Sequence, residues 1–166
     1  IIWVDVHSPN LLTVITRICS RHFPLLSGGD LADDCHDFRL DPVGPVANPL
    51  ESDGIKLSSW LPSDSAPRPD PNTRVESLSG ETGYLVAYRT EIEFVRPCSL
   101  IHIDFLQLAG LVSFEAFDSA GTSIDWRRFT GITGVPQSVH LGSPGTAVKR
   151  VVVLAPNNLT VLLRIC

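Results

Sequence analysis

From about residue 36 onward the chain reads as strands, and from residue 91 the alternation is plain. In Glu91-Ile-Glu-Phe-Val95 charged and apolar side chains take turns. In Ser99-Leu-Ile-His-Ile-Asp-Phe105 one parity carries Ile101, Ile103 and Phe105, and the other carries His102 and Asp104. Val112, Phe114 and Ala116 repeat the pattern, followed by Ile124/Trp126, Val139/Leu141, Val151/Val153 and Leu159/Val161/Leu163/Ile165. Side chains of a strand point to opposite faces with a period of two, so each segment predicts a half-buried strand. The segments recur about every ten residues with Gly, Pro and Asn/Asp/Ser between them, which is the pattern of a sandwich or barrel. Thirteen Pro residues and almost no 3.6-residue period argue against a helical domain.

A second feature bears on how the chain is organised. Residues 9–19 read PNLLTVITRIC and residues 156–166 read PNNLTVLLRIC, identical at eight of eleven positions. Val4/Val151 and Val6/Val153 extend the match to ten of nineteen. The expected organisation is therefore a terminal strand pair at 1–19, a linker at 20–34 and a sandwich at 35–166. The linker, SRHFPLLSGGDLADD, lacks strand periodicity. An isolated apolar hairpin is not stable in water. Residues 1–19 must then pack on another module or, as a duplicated strand pair, on their own. Pro62–Asn72 (PSDSAPRPDPN) is expected to be an exposed, extended loop.

Composition narrows the partners. A net charge of −5 with scattered Arg offers no basic stripe for nucleic acid. No apolar run approaches the ~20 residues that span a bilayer as a helix. No Met occurs, so Ile1 is read as a processed end or an internal position of a longer product. The four cysteines (Cys19, Cys35, Cys98, Cys166) form no CxxC and have no zinc-finger His spacing. Disulfides in an oxidising compartment are the better reading, which places the chain outside the cell or at its surface.

Cys35-His-Asp-Phe38, Asp53-Gly-Ile-Lys-Leu57, Glu91-Ile-Glu-Phe-Val-Arg-Pro-Cys98, Glu115-Ala-Phe-Asp-Ser-Ala-Gly121 and the closing APNNLTVLLRIC together resemble bacterial secreted jelly-roll modules of the galactose-binding-like type. The resemblance covers 35–166 and implies an all-β jelly-roll sandwich of two antiparallel sheets, here preceded by a strand pair that duplicates the last one. Ile92, Phe94, Ile101, Ile103, Phe114 and Val153 should face each other across the sheets. First and last strands of a jelly roll commonly lie antiparallel, which predicts a Cys35–Cys166 disulfide, with Cys98–Cys166 as the second choice. Such modules occur as carbohydrate binders, enzyme appendages and surface repeats, so the resemblance implies fold rather than activity.

Several residue sets carry candidate chemistry. Val4, Val6, Leu12, Val14 and Ile18 form the apolar face of the N-terminal pair, whose partner would be a copy of the chain or an adjacent repeat. Asp30, Asp33, Asp34 and Asp37 beside Gly28 and Gly29 offer hard oxygens for Ca²⁺, against the alternative of a solvated acidic linker. Trp60, Tyr84 and Tyr88 are the aromatics for a glycan platform. Trp126 is a fourth, although it continues the Thr122/Ile124 alternation and so competes as a core residue. His102, Asp104 and His140 with the abundant Ser evoke a Ser/His/Asp triad, but no G-x-S-x-G elbow is present. Glu91, Glu93 and Glu115 read as the wet face of strands rather than glycosidase carboxylates. Asn158-Leu-Thr160 is a sequon that the N-terminal copy lacks. These observations point first to a non-enzymatic extracellular module that assembles into a filament or tandem array through its terminal strands. A carbohydrate-binding or adhesive module is the alternative.

Overall fold

Fourteen strands arise among the described residues, and the pairing of the main ones is nested. The computed structural model describes residues 35–62, 66–130, 134–156 and 159–166, all within the unit Ala32–Cys166. The strands are β1 (His36–Asp37), β2 (Gly44–Pro45), β3 (Leu50–Ser52), β4 (Ile55–Leu61), β5 (Arg68–Pro69), β6 (Arg74–Leu78) and β7 (Glu81–Val86). They continue as β8 (Arg89–Cys98), β9 (Ile101–Gln107), β10 (Leu111–Phe117), β11 (Ser123–Thr130), β12 (Gln137–Leu141), β13 (Val148–Leu154) and β14 (Thr160–Ile165). One 3-10 turn, Phe38–Leu40, interrupts them. The first sheet runs β12-β9-β14-β7-β6-β2 with β1 beside β14, and the second runs β11-β10-β13-β8-β4-β3 with β5 beside β4.

Four antiparallel pairs nest inside one another: β7 with β14, β8 with β13, β9 with β12, and β10 with β11. Successive pairs fall alternately in the first and second sheets. That is a long two-stranded ribbon wrapped into two facing sheets, the jelly roll expected from the sequence. Two short turns at its start come from residues that tolerate positive φ. Asp53 (φ 47) and Gly54 (φ 79) join β3 to β4, and Ser79 (φ 54) and Gly80 (φ 88) join β6 to β7. Both are two-residue hairpin loops of the kind whose twist matches the strands.

Burial follows the alternation. All six residues expected to face each other lie in one core cluster, with Ile92, Ile101, Ile103, Phe114 and Val153 wholly buried and Phe94 nearly so. Phe105, Phe114 and Phe129 pack with centroids 4.9–5.9 Å apart, the separations that suit tilted and edge-on rings. The disulfide also forms as expected. Cys35, just before β1, bonds Cys166, just after β14, across a separation of 131 residues, so the second choice with Cys98 is not made.

Two expectations need correction, and a bulge explains each. Leu159, Val161, Leu163 and Ile165 were expected to share a face. The register of β14 against β9 slips between Leu162 and Arg164. Leu162 and Ile165 therefore join the main core, while Val161 and Leu163 pack with Leu106 in a separate cluster. The pairing of β10 with β11 slips at Ala116/Phe117. That leaves Ile124 packed against the core while Trp126 pairs with Glu115 on the outer face and is 52% exposed. One extra residue reverses the parity of everything beyond it. The Pro-rich loop is likewise only partly as expected. Arg68–Pro69 pairs with the end of β4, and Asp70 is buried.

Candidate functional site

The outer face of the second sheet is where exposed aromatic and polar side chains converge. In β4, Ile55, Leu57 and Ser59 are buried, so Lys56, Ser58 and Trp60 take the other face. Cross-strand register then builds two rows. Trp60 lies opposite Arg89, Arg89 opposite Leu154, Leu154 opposite Ser113 and Ser113 opposite Arg128. In the next row Ser58, Glu91, Val152, Glu115 and Trp126 stand side by side. Four inter-strand spacings of ~4.8 Å place the strands of the two tryptophans ~19 Å apart.

Glu91 gathers the arginines beside it on this face. Glu91 accepts from Arg89 Nη2 at 2.5 Å and lies 3.6 Å from Arg150 Nη1. The Arg150 guanidinium covers the Phe117 ring at 4.7 Å, a cation–π contact. Two donors in this region have no acceptor: Trp60 Nε1 and Arg89 Nε are buried without a hydrogen-bond partner. A sheet face with aromatic surface and paired charges can stack on a polyhydroxylated ring and hydrogen-bond its hydroxyls.

The aromatic set named from sequence separates. Trp60 is on the face and half-buried. Tyr88, 41% exposed, lies at one end of it, where its carbonyl accepts from Ala155 N beside Leu154. Tyr84 does not belong to a surface platform. It is wholly buried, and its hydroxyl meets Ser59 Oγ at 2.9 Å, which in turn meets Thr90 Oγ1 at 2.9 Å. Burial pushes the Tyr84 phenol up to about 12, against the opposing hydrogen bond from Ser59. Tyr84 ties the first sheet to the second through a polar bridge in the core. Its position on β7 facing β14 carried no local signal that distinguished it from Tyr88.

Other candidates are placed as follows. Val4, Val6, Leu12, Val14, Ile18, Asp30, Asp33 and Asp34 lie outside the described residues, as does Asn158. Asp37 holds Arg39, accepting from Nε at 2.7 Å and Nη2 at 2.5 Å. This pairing, together with a backbone bond, keeps the Asp37 carboxyl below its ordinary range. Among the described residues no three His, Cys, Asp or Glu side chains converge as a metal cage.

The first sheet does bring Ser, His and Asp together, in the wrong order for nucleophilic catalysis. Ser138 Oγ donates to Asp104 Oδ1 at 2.5 Å, and His102 Nε2 stands 3.0 Å from the same oxygen. A triad needs the imidazole between hydroxyl and carboxylate. Here the carboxylate stands between the other two, so His102 is not placed between the serine and the acid as a triad requires.

No protein-family model matches the chain, and no curated protein matches it. Among solved structures, a low-affinity xylan-binding module from the gut symbiont Roseburia intestinalis is similar at 13% identity with a TM-score of 0.38. The alignment covers 67% of this chain and 92% of that one.

Proposed function

We propose that the chain is an extracellular, non-catalytic carbohydrate-binding module whose ligand lies on the outer face of the second sheet. The observation that carries this reading is Trp126, a tryptophan 52% exposed on a sheet face whose other end holds Trp60. Burying an indole against solvent-free surface is favourable by a few kcal/mol. A large aromatic left in water beside hydrogen-bonding groups fits stacking on a sugar ring. Arg89, Glu91 and Glu115 between the tryptophans supply donors and acceptors for hydroxyls. The Cys35–Cys166 disulfide fits an oxidising compartment. Affinity electrophoresis against a panel of neutral and acidic polysaccharides tests the reading. Retardation by at least one polymer is expected, and Trp126→Ala should reduce it about tenfold or more in affinity without lowering the melting temperature. A chain that no polymer retards, or a variant that binds as tightly, rejects it.

A second reading rests on the repeat. The segment that residues 1–19 duplicate forms β13 and β14, and neither is an edge strand: β13 lies between β10 and β8, and β14 between β9 and β7. A copy of two central strands fits the middle of another sandwich, not the rim of this one. This favours a tandem array or filament in which 1–19 completes a neighbouring module. Val14→Asp should then leave 35–166 folded while sedimentation shows the assembly dissociating. A variant that unfolds as a monomer would count against it.

A further inference from the structure

Lys56, Arg89, Arg128 and Arg150 stand on the outer face of the second sheet, and all but Arg128 are paired. Lys56 lies 3.6 Å from Glu51. Arg89 and Arg150 both reach Glu91, and Arg150 also covers the Phe117 ring. Arg128, on β11 opposite Ser113, is exposed. Among the described residues no carboxylate comes within ion-pair distance of it. Two residues back on the same strand is Trp126, on the same face and opposite Glu115. Among the described residues no ring or guanidinium covers its indole. Alternate residues of a strand share a face ~7 Å apart, so an uncovered aromatic and an unpaired guanidinium stand side by side at the edge of the sheet.

From this pairing, and resting on the carbohydrate-binding reading above, we infer that the ligand is a polyuronate, a polysaccharide whose sugar rings carry carboxylates. Trp126 stacks under one ring through its apolar face, and Arg128 takes that ring's carboxylate. A guanidinium is charged at every working pH and offers a planar fork that matches a carboxylate with two parallel hydrogen bonds. The carboxyl of a uronic acid is bonded directly to the ring, so its partner has to lie within about one sugar of the stacking aromatic, as Arg128 does. Glu115 opposes this. It is diagonal to Arg128 across β10 and β11, ~7–8 Å away by strand geometry, and repels an incoming anion. Arg89 and Arg150 are already held by Glu91, so selectivity for the acid rests on Arg128. The chain's net charge of −5 draws no polyanion from a distance. The preference therefore comes from this contact and does not extend to polyanions in general.

The test measures binding of the full chain at neutral pH to polygalacturonate, alginate and a glucuronoxylan. Each is set beside its carboxyl-reduced form, in which the uronic acid has become a neutral sugar, and dextran sulfate serves as the other anion. At least one native polyuronate should bind about five- to tenfold more tightly than its reduced form, the worth of one well-formed charge pair. Arg128→Gln, folded by circular dichroism, should erase that difference while leaving affinity for the reduced polymer unchanged. Arg128→Lys, which keeps the charge but loses the fork, should restore only part of it. Glu115→Gln, which keeps an acceptor and removes the repulsion, should widen it. The inference is overturned if reduced and native polymers bind equally, if dextran sulfate binds and no polyuronate does, or if Arg128→Gln keeps the full preference. Equal binding that is still lost in Trp126→Ala would reject the acidic ligand and leave the carbohydrate-binding reading standing. A chain that binds none of the polymers, native or reduced, rejects both.

Discussion

His36 shows how one side chain can fasten several local pieces. Its ring is almost wholly buried, packs at 4.3 Å from Phe38, and has a carboxylate at each nitrogen: Asp53 at 2.7 Å from Nδ1 and Asp41 at 2.9 Å from Nε2. Burial pulls the imidazole toward its neutral form, but the hydrogen bonds and charges of Asp53 and then Asp41 outweigh it, and the net shift is upward. A histidine whose folded pKa exceeds its unfolded one adds stability that is complete below the unfolded value of about 6.5 and is lost as pH rises through the folded value. Melting temperature should therefore fall as the buffer moves from mildly acidic to alkaline across that window. His36→Gln should flatten the dependence and cost about 1–3 kcal/mol, the range for leaving buried partners unmet. A parent chain whose melting temperature stays level across the window would show that the two carboxylates do not hold a charged ring.

At the level of elements, the strands depend on where backbones come close. Gly83 lies in β7 beside β14, and a Cβ there would sit 2.5 Å from the carbonyl oxygen of Leu162 and 3.0 Å from Cβ of Val161. Neither contact is the end of a flexible side chain, so the strands would have to part. Gly83→Ala should destabilise by about 1–3 kcal/mol, the ordinary range for overpacking, as measured by urea denaturation. Gly121, with nothing near its missing Cβ but a φ of +83, marks the other use of glycine, turning the chain between β10 and β11. The alternation made β8 to β14 legible as strands. It did not reveal the short β1, β2 and β5, which are two residues each and too brief to show a period.

Across the described residues, the first strand β1 pairs with the last, β14, and the Cys35–Cys166 bond closes the described fold. In the chain-entropy view, closing a loop of 131 residues restricts the unfolded chain by up to about 5 kcal/mol. Cys35→Ser/Cys166→Ser should keep the sandwich, because the core of Ile92, Phe114 and Val153 is untouched, but should lower unfolding stability by about 2–5 kcal/mol. Reducing the parent chain should produce the same loss. Equal denaturant midpoints with and without reductant would show that the bond contributes nothing. The alternating pattern by itself determined that the chain forms strands with one wet face, and it placed Ile92, Phe94, Ile101, Ile103, Phe114 and Val153 in the core, because both follow from side-chain parity along a strand. The disulfide followed once the jelly-roll resemblance supplied a strand order. Tertiary structure alone decided that Trp126 faces water, that Tyr84 is buried between the sheets, and that His102 meets His140. A period of two names a face only until a bulge intervenes, and opposition across strands is set by register between segments distant in sequence, which no local pattern carries.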